Sequence, residues 1–132
     1  MKLLLELPSV PHSVARLDHL VERIANEYHI GEELHGDILI SLTEALNNAI
    51  LHGNHNDGSK HVRIEVEKNA SRLIFVVTDE GKGFDCEHLP NPTTPENQPR
   101  EGGRGVFLMR HLCHSLHYRN GGSSVELAFE VL

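Results

Sequence analysis

The sequence predicts an α/β (α+β) fold of about five strands and three helices. Three observations carry that reading. Apolar residues alternate with polar ones in short segments at both ends of the chain and in its middle. Two longer stretches repeat apolar residues at three- and four-residue steps, the spacing of one helix face. Turn residues punctuate these segments in the order strand, helix, helix, hairpin, helix, hairpin, so most of the strand pairings are expected to be antiparallel.

Residues 3 to 7 alternate Leu3, Leu5 and Leu7 against Leu4 and Glu6, a short strand ended by Pro8 and Pro11. From Ser13 the period changes: Val14, Leu17, Leu20, Val21, Ile24 and Tyr28 fall on one helical stripe, with Ser13 as N-cap and Gly31 just past the end. A second helix is expected from about Glu32 to Leu51, apolar along Ile38, Leu42, Ala45, Leu46 and Ala49 and stopped by Gly53. The following HGNHNDGS is turn chemistry. Val62, Ile64 and Val66 alternate with Arg63, Glu65 and Glu67, and Leu73 to Val77 is unbroken apolar chain, so a half-exposed strand and a more buried one form a hairpin through Asn69 to Arg72. After DEGKGFD, the span from Cys86 to Gly105 carries Pro90, Pro92, Pro95 and Pro99 together with Gly102, Gly103 and Gly105, and reads as a long loop and candidate lid. A third helix is expected from Val106 to about His114, and a closing hairpin pairs Ser115 to Arg119 with Val125 to Val131 around Asn120, Gly121 and Gly122.

Composition bounds the function. The 132 residues are 39% hydrophobic and 23% charged, which fits one globular domain over 1–132 and excludes disordered or collagen-like chains. With 12 Lys+Arg against 19 Asp+Glu, a net charge of −7 and no basic run, direct nucleic-acid binding is disfavoured. Trp is absent, so stacking platforms for single strands are also scarce. Cys86 and Cys113 lack CxxC spacing and suit free thiols in a reducing compartment. The start MKLLLELPSVPHS is too short and too interrupted for a signal h-region or a membrane span, so a cytoplasmic location is expected. Eleven histidines are present, among them His52 with His55 and the series His111, His114 and His117; without HExxH or a Cys/His quartet no dedicated zinc site is expected.

Three segments hold residues suited to chemistry, and each has an ordinary alternative. Glu44 and Asn48, four apart in SLTEALNNAILHGN, share one helical face, where carboxylate and carboxamide oxygens suit a hard cation such as Mg²⁺; alone they also read as a solvated polar face. Asp79, directly after the buried run, can accept a hydrogen bond from an exocyclic amine, while Gly81 and Gly83 allow close backbone approach; a plain turn would look the same. Gly102-Gly103-Arg104-Gly105 precedes a helix and offers backbone N–H groups and a positive helix end to a phosphate, with Arg100 and Arg104 nearby; a hinge is the alternative. The segment is neither a Walker A loop nor a Rossmann fingerprint.

Taken in order, EALNNAILHGN, DEGKGFD and GGRGVFLMR resemble the GHKL ATPase superfamily, the fold shared by gyrase, Hsp90 chaperones, MutL proteins and histidine kinases, and are most similar to the serine-kinase anti-sigma factors. The resemblance covers nearly the whole chain. It implies a Bergerat-type two-layer sandwich, with a mixed, mostly antiparallel sheet covered on one face by the helices. It also implies ATP and Mg²⁺ as cofactors, Asn48 as metal ligand and nucleotide-binding residue, and Glu44 as catalytic general base on the attacking hydroxyl. Asp79 matches the adenine-binding aspartate, Gly81 and Gly83 the glycines beneath the nucleotide, and Gly103, Arg104 and Gly105 the phosphate end; Asn47 stands beside the metal position.

On length, the ATP-binding domain is expected to fill the chain and to act on a separate protein. The resemblance makes that partner an anti-anti-sigma-type antagonist phosphorylated on Ser or Thr, with a sigma factor sequestered in the alternate complex and homodimerisation as a family habit. An ATP-gated binding module with little transfer and a stand-alone ATP hydrolase are the rival readings. A metal-binding regulator is a more distant one.

Overall fold

The computed structural model describes residues 2–81 and 108–131. Five strands, β1 (Lys2–Pro8), β2 (His61–Asn69), β3 (Arg72–Thr78), β4 (Ser115–Arg119) and β5 (Ser124–Glu130), form one sheet in the order β1-β2-β3-β5-β4, and all four pairings are antiparallel. The helices are α1 (Leu17–Tyr28), α2 (Glu32–Asn48) and a helical segment at 108–112. The expected α+β architecture is thus present.

Alternation along the strands explains the layering. Register places Leu5, Ile64, Val77, Val125 and Tyr118 in one row across the sheet, and Leu3, Val66, Phe75, Leu127 and Leu116 in the next. These rows join one hydrophobic cluster with Leu17, Val21 and Ile24 of α1 and Ile38, Leu42, Ala45 and Leu46 of α2. Phe75 meets Phe129 edge-on, with ring centroids 5.8 Å apart. The opposite face carries Glu6, Arg63, Glu67 and Arg119, all exposed.

Several boundaries differ from expectation for identifiable reasons. Ser13 does not cap α1: a 3₁₀ turn, Pro11–Arg16, comes first, favoured by Pro11 at its start, and the buried Ser13 hydroxyl donates to the Pro8 carbonyl at 2.7 Å. The left-handed residue that closes α1 is His29 (φ 55°), two positions before Gly31, which instead stands at the N-cap of α2 in extended geometry. α2 ends at Asn48 rather than Leu51, because the chain widens into a π turn, Ala49–Gly53, in which the Asn54 N–H bonds the Ala49 carbonyl at 2.8 Å. The third helix stops short of His114, whose N–H joins the sheet by donating to the Ala128 carbonyl. Both hairpins match the sequence reading: β2 and β3 pair out to Asn69 and Arg72 around left-handed Ala70, and Asn120, Gly121 and Gly122 all take positive φ in the turn before β5.

Cys86, the span from Cys86 to Gly105, and the candidate residues Gly83, Arg100, Gly103, Arg104 and Gly105 lie outside the described residues.

Candidate functional site

Glu44, Asn47 and Asn48 occupy the last part of α2. Leu42, Ala45, Leu46 and Ala49 from the same stretch are buried in the core, and the three polar residues are left half-buried on the other side. Glu44 and Asn48 stand one turn apart, as their spacing requires.

The π turn carries the chain from Asn48 to Gly53, and Gly53 meets the segment after β3. A Cβ added to Gly53 would lie 2.3 Å from Asp79 Cγ and Oδ2, so the carboxylate rests directly on the glycine backbone. A Cβ on Gly81 would lie 2.2 Å from the Gly53 carbonyl oxygen, so here two backbones touch with no room for a side chain. Gly53, Asp79 and Gly81 form a single cradle, of which Gly53 closes the π turn that follows Glu44 and Asn48.

Asp79 is held from several sides. Its N–H donates to the Ser123 carbonyl at 2.9 Å, before β5, and its Oδ1 accepts the Gly81 N–H at 2.7 Å. Burial pushes its carboxyl above the ordinary carboxylate range, opposed by the Gly81 hydrogen bond and the nearby Lys60 ammonium. Glu80 points the other way: its carboxylate accepts the His61 N–H at the start of β2, and its own N–H donates to Asn54 Oδ1 at 2.8 Å.

The arrangement leaves the Asp79 carboxylate able to serve an amine: Oδ1 takes one N–H and lone pairs remain for a further donor, while Gly53 and Gly81 lack the side chains that would push the carboxylate and the Gly53 carbonyl out of place. The oxygen donors of Glu44, Asn47 and Asn48 suit Mg²⁺, which prefers oxygen ligands and keeps part of its water shell. Among the described residues no group of three or more His, Cys, Asp and Glu side chains is placed to hold a metal, and no helix is long and apolar enough to cross a membrane.

The sequence reading names Glu44, Asn48, Asp79 and Gly81; the structure brings Asp79 and Gly81 together with Gly53 and Asn54, which that reading does not single out as site residues, and sets a π turn where it expects helix. HGN there is a helix stop and turn at the end of EALNNAILHGN. The signal was the glycine itself, placed one turn beyond the polar face and followed by an amide residue.

Residues 7–129 match the model of the histidine kinase-like ATPase domain. The chain belongs to that family. Among relatives of this ATPase domain, Serine-protein kinase RsbW of Bacillus licheniformis is 31% identical over 119 residues, spanning 83% of this chain and 73% of the relative. Serine-protein kinase RsbW of Oceanobacillus iheyensis is 25% identical over 122 residues, spanning 88% and 77%. The anti-sigma F factor of Shouchella clausii is 29% identical over 105 residues, spanning 78% and 64%. The fold is similar to that of a structure of the RsbU and RsbW domains of Rv1364c from Mycobacterium tuberculosis, with a TM-score of 0.71 at 13% identity; the match covers 98% of this chain and 32% of that longer chain.

Proposed function

We propose that this domain is an ATP-dependent protein serine/threonine kinase of the anti-sigma type, which transfers the γ-phosphoryl group of ATP to a Ser or Thr hydroxyl of an anti-anti-sigma-type antagonist and so sets the availability of a sigma factor. The observation that carries the proposal is the Gly53–Asp79–Gly81 contact: the π turn that follows Glu44 and Asn48 ends at Gly53, and the amine-accepting Asp79 carboxylate rests on that glycine. The names of the relatives, serine-protein kinase and anti-sigma F factor, supply the substrate and partner classes.

In this reading Asp79 accepts the adenine amine, and Gly53 and Gly81, by lacking side chains, let the carboxylate and the Gly53 carbonyl pack where they do. Asn48 would hold Mg²⁺, with Asn47 shaping the same turn, and the ion would supply charge neutralisation at the phosphates. Glu44 takes the proton of the attacking hydroxyl as its oxygen bonds to the γ-phosphorus and ADP leaves. Gly83 beneath the nucleotide, Gly103, Arg104 and Gly105 on the phosphate side, and a homodimeric state rest on family resemblance alone. A cytoplasmic site of action and the absence of direct nucleic-acid contact follow from the acidic composition and unpaired cysteine usage of the sequence.

Calorimetry with Mg²⁺ and ATP separates the roles. Asp79→Asn is expected to lose most ATP affinity, and Glu44→Gln to keep it while losing phosphotransfer. Wild-type transfer by Glu44→Gln would remove the general base from the proposal, whereas partner regulation that survives intact in Glu44→Gln would favour the ATP-gated binding module.

A further inference from the structure

Asn54 is fully buried, and its side chain ties together three segments far apart in sequence. Its Nδ2 donates to Ser9 Oγ at 2.6 Å, just after β1, and to the His61 carbonyl at 3.1 Å, where β2 begins. Its Oδ1 accepts the Glu80 N–H at 2.8 Å. Its own N–H closes the π turn on the Ala49 carbonyl. The peptide group fixed by Oδ1 joins Asp79 to Glu80, so the bond acts on the backbone beside the carboxylate. Gly53, the preceding residue, is the surface on which that carboxylate rests.

We propose that Asn54 is a positioning residue for adenine recognition: it fixes the Asp79–Glu80 peptide so that the Asp79 carboxylate faces the base edge, and thereby sets the preference for adenine over guanine nucleotides. This rests on the reading of Asp79 as the adenine acceptor. The chemistry of discrimination is direct. Adenine presents an amine to the carboxylate, whereas guanine presents a carbonyl oxygen at that position, which an ionised acceptor repels. Such discrimination depends on a fixed acceptor, because a loop free to move would relieve the repulsion and lose the directed bond. Two hydrogen bonds hold Glu80: the one from its N–H to Asn54 and the one from the His61 N–H to its carboxylate. Of the two, the Asn54 bond is buried at its side-chain end and anchored through Ser9 to the end of β1.

The test measures ATP and GTP affinities by calorimetry for the full chain and its Asn54→Ala, Asp79→Asn and double variants. Asn54→Ala is expected to weaken ATP about tenfold with GTP nearly unchanged, the scale of losing one hydrogen bond to a fixed acceptor. In the Asp79→Asn background the same substitution is expected to add less than about twofold, because residues acting through one another do not add. Full additivity, or an unchanged ATP-to-GTP ratio in Asn54→Ala, overturns the inference while leaving Asp79 in place. Unchanged ATP affinity in Asp79→Asn overturns instead the reading on which it rests. If Asn54→Ala does not fold, Ser9→Ala removes one anchor only and is expected to narrow the ratio by about threefold; an unchanged ratio overturns the proposal. Amide exchange in the unaltered protein is a further check: Glu80 N–H is expected to exchange as slowly as the amides of β3, and exchange at the rate of an exposed loop overturns the clamp.

Discussion

Gly53→Ala is the most informative single-atom perturbation of the cradle. The added Cβ would stand 2.3 Å from both Asp79 Cγ and Oδ2 and 2.8 Å from Oδ1, where ordinary van der Waals contact begins near 3.4 Å. The carboxylate must therefore retreat by about 1 Å. It cannot do so by a simple rotation, since the clash involves Cγ and both oxygens, and Oδ1 is bonded to the Gly81 N–H at 2.7 Å. The backbone has little freedom to follow, because the Asp79 N–H is bonded to Ser123 and the Glu80 N–H to Asn54. Overpacking of this kind costs about 1–3 kcal/mol of stability. A misplaced acceptor loses a charge-assisted hydrogen bond to the ligand, about 1.5–3 kcal/mol, or roughly 10- to 100-fold in ATP affinity. Thermal unfolding and calorimetry on the same samples read both effects. Wild-type ATP affinity in Gly53→Ala would refute the assignment of this cradle to the base.

Other substitutions test separate parts of the account. Gly81→Ala directs its Cβ at 2.2 Å from the Gly53 carbonyl oxygen, a backbone atom, so a loss of ATP affinity at least as large as that of Gly53→Ala is expected in the same titration. For Asp79 the sign of the pH dependence is set by burial. Its carboxyl is raised above its ordinary 3.8, so the folded state releases that proton at higher pH than the unfolded chain, and the group lowers stability as pH rises through the interval between the two values. Asp79→Asn is therefore expected to melt higher than wild type at neutral pH, with the gap closing below pH 3.8, while binding ATP more weakly; a variant less stable at every pH would contradict this. Asn48→Ala is expected to bind ATP equally with Mg²⁺ and with chelator, and a retained Mg²⁺ dependence would move the metal elsewhere. The Cys113 thiol, pushed up to about 11 chiefly by burial, with the Ser41 bond lowering it and Asp37 raising it, is expected to resist alkylation at pH 8, where only about one molecule in a thousand is thiolate.

The legible parts of this fold are those written in local periodicity. Alternation along β2 and the unbroken apolar run of β3 predict both strands and their hairpin, and the row Leu5, Ile64, Val77, Val125, Tyr118 shows that strand alternation also sets which face is covered. Helical spacing separated Glu44 and Asn48 from the buried side of α2. What periodicity could not show were features decided by tertiary partners. Asn54 looks like any turn residue until Ser9, 45 positions earlier, and Glu80, 26 positions later, arrive beside it. The π turn has no sequence period of its own, and it ends α2 earlier than the apolar pattern suggests. Ser13 and Gly31 differ from expectation for a related reason: their roles depend on the path of the neighbouring chain, toward Pro8 in one case and into α2 in the other. Gly53 became intelligible as part of the site only once Asp79 was seen to lie on it.

The most direct test of the central claim is incubation of the purified protein with Mg²⁺ and γ-labelled ATP in host lysate, beside its Glu44→Gln variant, followed by identification of labelled proteins. The account predicts one prominent labelled partner, phosphorylated on Ser or Thr and missing with the variant. Release of labelled phosphate with no labelled protein, or labelling that persists undiminished in Glu44→Gln, would contradict it.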